Sequence, residues 1–298
     1  MKYPILHLDL NIEKYDTPDS LDNILDKSLT AWEKLYGAEP SERSFSLRFA
    51  GIIERACKQA GQRVVILVDE YDKPMLQAIG NEELQRQFRN ALKPFYGALK
   101  TMDGCIKFAF LTGVTKFGKV SVFSDLNNLD DISMRKDYVE LCGVSDRELH
   151  DTLDAELHEF ADVRGVTKLC AELKECYDGY HFTHNSIGMY NPFSLLNAFK
   201  YKEFGSYWFE TGTPTYLVSL LKKHHYDLER MAHEETDAQV LNSIDSESTN
   251  PIPVIYQSGY LTIKGYDEEF GIYRLGFPNR EVEEGFVRFY ASLLCECQ

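Results

Sequence analysis

The sequence predicts an α/β fold built on a parallel sheet, followed by a mainly helical region and a short β-containing tail. Three observations carry that prediction. Apolar runs of strand length recur at 5–10, 63–70 and 106–113. Stretches with helical spacing fill the intervals between them. The second and third runs are almost continuously apolar, the pattern of strands covered on both faces of a parallel sheet.

The elements follow in order. ILHLDL (5–10) is a short strand. Leu21, Ile24, Leu25, Leu29, Trp32 and Leu35 recur with helical period over 20–36. A second helix spans about Phe45 to Ala60 and stops at Gly61. RVVILVDE (63–70) is a buried strand. Residues 82–100 form a helix that Pro94 is expected to kink or divide. IKFAFLTG (106–113) is a third buried strand. Past residue 145, two helices are expected on either side of Gly165, with others starting at Asn191-Pro192 and Thr213-Pro214. GYLTIKG (259–265) and GIYRLGF (271–277) flank YDEEF as a β-hairpin, and the polar, turn-rich stretch 236–253 reads as a linker or mobile loop. These shifts in character divide the chain at 1–144, 145–235 and 236–298.

Composition narrows the function classes. The chain has 298 residues, a formal net charge of -15, 44% hydrophobic and 27% charged residues, enough apolar material for a sizeable core. No apolar run approaches the roughly 18–20 residues of a membrane helix. Asp9 interrupts the apolar N-terminal run, against a signal-peptide layout, so a cytoplasmic location is expected. The seven cysteines (57, 105, 142, 170, 176, 295, 297) include no C-x-x-C and read as reduced thiols. His181 and His184, and the adjacent His224 and His225, lack the further ligands of a zinc signature. The acidic balance argues against a nucleic-acid footprint, which needs clustered Lys and Arg.

VVILVDEYD (64–72) carries the chemistry. Apolar residues ending in Asp-Glu have the Walker B form, and a buried strand delivers Asp69 to the carboxyl edge of the sheet, where open α/β folds bind ligands. In a P-loop ATPase such an Asp holds Mg²⁺, usually through water, and the following Glu, the place of Glu70 here, can polarise the attacking water. Asp72 adds a third carboxylate. A buried strand running out into an acidic turn fits the same letters. The next strand ends at Thr112, the position of a γ-phosphate sensor, with Thr115 and Lys116 as near alternatives; a turn-capping role suits Thr112 equally. GVTKFGKVSVF (113–123) nearly spells G-x-x-x-x-G-K-[ST], but Val120 stands where a metal-binding hydroxyl is needed and Ser121 comes one place late. The loop also follows the Walker B strand instead of preceding it. It is expected to be the sensor loop, facing a phosphate site built by another segment.

KYPILHLDL, VVILVDEYDKPM, FLTGVTKFGKVSVFSDLNNLDDIS, CYDGYHF, YNPFSLLNAF, YWFETGTP, YQSGYLTI and LGFPNREVEEGF together closely resemble the bacterial AAA-ATPase-like family. The resemblance spans nearly the whole chain in the expected order. It implies a P-loop NTPase (AAA/STAND-like) module usually fused to a C-terminal PD-(D/E)XK nuclease-like domain, with helical and winged-helix-like regions between. It implies ATP and Mg²⁺ as cofactors, with Asp69, Glu70 and Thr112 catalytic, Asp69, Thr112 and Lys116 at the nucleotide, and Asp69 on the metal through water. Family members carry a Walker A loop before the segment matching KYPILHLDL and continue past FPNREVEEGF into the nuclease-like domain. Neither is present here, so the P-loop fold is expected to be incomplete and autonomous ATP binding and hydrolysis impaired. The alternative is a non-catalytic regulatory or protein-interaction module. The aromatic turn 177–182 and residues 207–214 are expected to be packing and helix-start residues. The acidic winged-helix-like region would repel phosphate, so an intramolecular or protein contact is expected there. Strands 5–10, 64–69 and 106–112 should lie parallel in that order. The outer side of the last should be open, covered by a later segment such as 127–133, or paired with another molecule. Marginal stability and self-association should follow.

Overall fold

A computed structural model of the chain describes residues 2–116, 122–123, 126–161, 165–211, 233–242 and 250–295. They form two compact units, one of the described residues up to Leu129 and one of those from Asp130 onward.

The first unit holds three strands, β1 (Ile5–Asp9), β2 (Val64–Asp69) and β3 (Ile106–Leu111), all parallel and in the order β1-β2-β3. The mixed α/β class, the sheet and its order are as the sequence predicts. Among the described residues, four helices accompany it: α1 (Pro18–Tyr36), α2 (Phe45–Ala60), α3 (Lys73–Gln77) and α4 (Glu82–Thr101). Each long helix has local reasons to start and stop. Pro18 occupies the first turn of α1, where its missing N–H costs nothing. The Ser44 hydroxyl accepts the Leu47 N–H to open α2, and Gly61, at φ 60°, closes it in the left-handed conformation that glycine adopts without strain. Asn81 caps α4 by accepting the Leu84 N–H.

Pro94 does not divide α4, which runs unbroken through it. Pro94 and Asn90, the residue whose carbonyl loses its helical partner, are both exposed. The helices pack through aromatic rings: Trp32 and Phe49 stack at 5.8 Å, and Phe49 and Phe95 at 4.5 Å. Arg48 of α2 grips Glu33 of α1 with two bonds, at 2.7 and 2.9 Å.

The two faces of the sheet differ. Leu6, Leu8, Val64, Ile66 and Val68 alternate inward and are buried. On the opposite face Ile5 lies in register with Val65 and Phe108, and His7 with Leu67 and Phe110. Ile5 is 57% and Phe108 53% exposed, and Val65, Leu67 and Phe110 are half-buried. The expectation that the second and third strands are covered on both faces is therefore corrected. β3 is an edge strand, and among the described residues no strand pairs with its outer side.

In the second unit, α5 (Asp146–Asp151), α6 (Asp154–Ala161), α7 (Val166–Tyr177) and α8 (Pro192–Tyr201) enclose a core of Leu149, Leu157, Phe160, Leu169, Leu173 and Leu195. Three helices, not two, occupy 146–177. Ser145 and Glu148 form a capping box that starts α5, and the chain breaks at Thr152-Leu153, where Leu153 packs on that core. Asn191 caps α8 as anticipated, its side chain accepting the Ser194 N–H. Two short strands missed in the sequence, β4 (Val144–Ser145) and β5 (Met189–Tyr190), pair antiparallel. The helix expected from Thr213-Pro214 lies outside the described residues.

The tail forms an antiparallel sheet of β6 (Glu235–Asp237), β7 (Thr262–Asp267) and β8 (Ile272–Gly276), in the order β6-β8-β7, with α9 (Ala238–Asn242), α10 (Ile252–Gln257) and α11 (Arg280–Cys295). The predicted hairpin is β7–β8. The 236–253 stretch is not a plain linker, because it contributes β6, α9 and the start of α10; residues 243–249 lie outside the described set. Leu241 and Ile252 explain the difference, since both are fully buried with Tyr260, Leu261, Val282 and Phe286. The 207–211 turn is fastened by the buried Glu281, whose Oε1 accepts the Trp208 and Phe209 N–H groups at 2.8 and 3.3 Å. Burial raises the Glu281 carboxyl above its ordinary pKa.

Candidate functional site

The carboxyl ends of β1, β2 and β3 meet at one edge of the first unit's sheet. Asp9 and Asp69 are register partners at the ends of β1 and β2, and Thr112 follows β3 directly. Backbone bonds extend the ladder past the strands: Leu10 N–H to the Asp69 carbonyl at 3.1 Å, Thr112 N–H to Val68 at 2.8 Å and Tyr71 N–H to Thr112 at 2.9 Å. The edge is therefore fixed by main chain, and the side chains on it are presented from a rigid support.

Asp69 and Thr112 are brought together. The Thr112 hydroxyl donates to Asp69 Oδ1 at 2.5 Å, and the Glu70 N–H reaches the same oxygen at 3.1 Å. Asp69 Oδ2 has no protein partner among the described residues, and the side chain is exposed. Glu70 turns the chain sharply, at φ 56°, a conformation uncommon for a residue with a Cβ. Burial raises its pKa first, neighbouring Asp69 and Asp9 add to the rise, and Lys73 opposes it.

Asp72 has a different role from the other carboxylates. It is fully buried and turned away from the edge, into the loop after β3. Its oxygens accept the Val114 N–H at 3.2 Å, the Thr115 N–H at 2.6 Å and the Thr115 hydroxyl at 2.7 Å. The Tyr71 hydroxyl donates to the Thr115 carbonyl at 2.8 Å. Burial pushes the Asp72 carboxyl up to about 6, with the Thr115 bonds opposing. Thr115 is thus committed to Asp72, which leaves Thr112 as the hydroxyl at the sheet edge. Lys116 is half-buried at the end of the same loop. Gly118, Lys119, Val120 and Ser121 of the near phosphate loop lie outside the described residues.

Gly113 approaches Asp72 so closely that a Cβ there would sit 2.4 Å from Oδ1 and 2.9 Å from the Tyr71 ring. The glycine is required by this contact, independently of any phosphate. Sequence reasoning passed over Asp9, although ILHLD ends in the same way as VVILVD. It also missed the tie from Lys73 Nζ to the Asn11 carbonyl and Oδ1, at 2.5 and 2.7 Å, which no local pattern signals. Of the two histidine pairs, only His181 and His184 are described. The His181 Nδ1 bonds the Ser186 carbonyl and His184 stacks on Tyr266. No helix among the described residues is long and apolar enough to cross a membrane.

Comparison with known proteins gives the edge a context. An uncharacterized protein in the vnfD 5′ region of Azotobacter chroococcum mcd 1 is 36% identical over 285 residues, covering 95% of this chain and 53% of that protein. The chain thus spans about half the length of that relative. No solved structure matches it. The family model described as predicted AAA-ATPase matches residues 1–123, which contain all three strands, Asp69, Glu70 and Thr112. Over residues 1–123 this chain is thus similar to the AAA-ATPase-like family.

Proposed function

We propose that the edge at Asp69, Glu70 and Thr112 is the γ-phosphate and Mg²⁺ side of an ATPase site. The observation that carries this reading is the Thr112–Asp69 hydrogen bond at the carboxyl ends of adjacent parallel strands. The donor set suits Mg²⁺, an ion that keeps most of its ligands as water and phosphate and takes one or two carboxylates. Among the described residues, Asp69 has one oxygen without a protein partner, and no group of three His, Cys, Asp or Glu side chains forms a closed metal cage. Bound there, the ion would neutralise charge on the transferred phosphate.

Each residue has a task in this reading. Asp69 holds a metal-bound water. Glu70, made a better proton acceptor by its burial, orients the attacking water. Thr112 positions Asp69 and has a hydroxyl within reach of a terminal phosphate, and Lys116 meets the nucleotide from the sensor loop. No G-x-x-x-x-G-K-[ST] stands ahead of β2 within these residues, so this reading needs a phosphate grip that they do not contain. The tail sheet, in the same reading, is a winged-helix-like element used for protein contact. The location is the cytoplasm.

The second reading is a non-catalytic regulatory or interaction module. It is favoured by the same lack of a phosphate-gripping sequence ahead of β2. Steady-state phosphate release and binding of a fluorescent ATP analogue, with Mg²⁺, separate the two. Residues 1–298 alone are expected to show little or no turnover. In the longest product the gene encodes, Glu70→Gln and Thr112→Val should each lower turnover roughly 10²-fold or more, with Thr112→Ser restoring it. Turnover in that product that is indifferent to Glu70→Gln overturns the ATPase site. Absence of both binding and turnover in that product likewise overturns the ATPase site and leaves the second reading.

A further inference from the structure

Two free thiols of the first unit meet across elements that are far apart in sequence, and the ATPase reading uses neither. Cys57 lies in the last turn of α2, and Cys105 ends the single 3₁₀ turn Asp103–Cys105 that leads into β3. α2 packs against that turn. The Cys105 thiol donates a hydrogen bond to the Cys57 sulfur. Cys142, Cys170 and Cys176, also free thiols, lie in the second unit.

The pair sits at the surface of its unit. Both cysteines are half-buried, and the adjoining Lys58, Gln59, Asp103 and Gly104 are exposed, so a small reagent approaches from solvent. The turn has room to adjust, since a Cβ at Gly104 would meet nothing within 4 Å. That freedom matters because the sulfurs must close from hydrogen-bond distance to a bond of about 2 Å. The two thiols also differ. Cys105 is the donor of the hydrogen bond and keeps its proton: burial holds it above the ordinary thiol range, the bond to Cys57 and the Glu54 charge add to the rise, and Lys58 opposes it. The Cys57 sulfur is the acceptor, beside the Lys58 cation.

We propose that Cys57 and Cys105 form a thiol–disulfide exchange site whose co-reactant is a small-molecule disulfide of the glutathione type. The Cys57 thiolate attacks one sulfur of the reagent. A bond to Cys57 forms, the reagent's S–S bond breaks, and one thiolate leaves with the electron pair. Cys105 then loses its proton to solvent, attacks the Cys57 sulfur and expels the second thiolate. The two cysteines give up two electrons and two protons, and the reagent takes them up as two thiols. The new bond ties the end of α2 to the start of β3 and closes a loop that contains β2, α3 and α4.

The test equilibrates the whole chain with mixtures of reduced and oxidised glutathione, blocks free thiols with N-ethylmaleimide and digests with trypsin. The expected product is one linked pair, residues 56–58 joined to residues 101–107, which disappears on adding dithiothreitol. The oxidised chain should melt at least about 5 °C above the reduced one. In denaturing urea the link should form at least roughly tenfold more slowly, because the fold no longer holds the thiols together. Cys105→Ser should stop at a glutathione adduct on Cys57, and Cys170→Ser should leave the linked pair unchanged. Glutathione adducts without the link, links scrambled among the other cysteines, an oxidised chain that melts no higher than the reduced one, or equal rates in urea would overturn the proposal and leave the two thiols as a packing contact.

Discussion

Asp72→Ala should destabilise the first unit by about 3 kcal/mol, because it leaves the Thr115 N–H and hydroxyl and the Val114 N–H without their acceptor. Asp72→Asn keeps an acceptor oxygen and should cost less. It should also change the response to pH. In the unfolded chain the carboxyl titrates near 3.8, and in the fold it titrates near 6. Below both values the group is neutral in both states. As pH rises between them, the unfolded chain ionises first, so it binds fewer protons than the fold and stability falls. Above about 6 the loss is complete, at roughly 3 kcal/mol. Urea unfolding of wild type and Asp72→Asn across about pH 4 to pH 7 isolates this contribution as the difference between the two. A difference that stays flat over that window would mean that Asp72 is not buried as a raised-pKa acid.

Gly113→Ala is expected to cost about 3 kcal/mol, an overpacking effect. The added Cβ meets Asp72 Oδ1 and the Tyr71 ring, and both are held: the carboxylate by Thr115, the ring by its hydroxyl's bond to the Thr115 carbonyl. The neighbour cannot swing aside as a surface side chain would. Combined with Asp72→Ala the penalty should shrink, since the obstructing oxygen is gone, and a double-mutant cycle read by urea midpoint measures that coupling. Full additivity of the two losses would show that Gly113 is required by something other than Asp72.

The first glycine of the phosphate-loop look-alike thus has a packing reason that its motif conceals. The sheet was legible because its signal is local: each strand is a short apolar run, and Asp69 and Thr112 stand at the ends of neighbouring runs. Their hydrogen bond follows from strand order, which the pattern of alternating strands and helices already implies. Asp72 was visible only as one more acidic letter. Its burial depends on a partner 43 residues away, Thr115, and no period in the sequence records such a contact. Leu241 and Ile252 were hidden in a polar stretch for the same reason, because a few apolar residues scattered among polar ones read as a loop until a distant core receives them. Pro94 misled in the opposite direction: the local rule counts one lost hydrogen bond and a ring clash, and the packing of Leu92, Phe95, Tyr96 and Leu99 carries α4 through both.

The uneven sheet bears on what the melting temperature of these residues means. Ile5 and Phe108 keep over half of their surface in water on the face opposite the helices. Any chain that covers that face binds the folded unit and not the unfolded one, so it stabilises by mass action, by roughly 2.7 kcal/mol at a hundredfold excess over its dissociation constant. With such a partner present, the melting temperature of the unit would depend on the partner's concentration as well as on these residues.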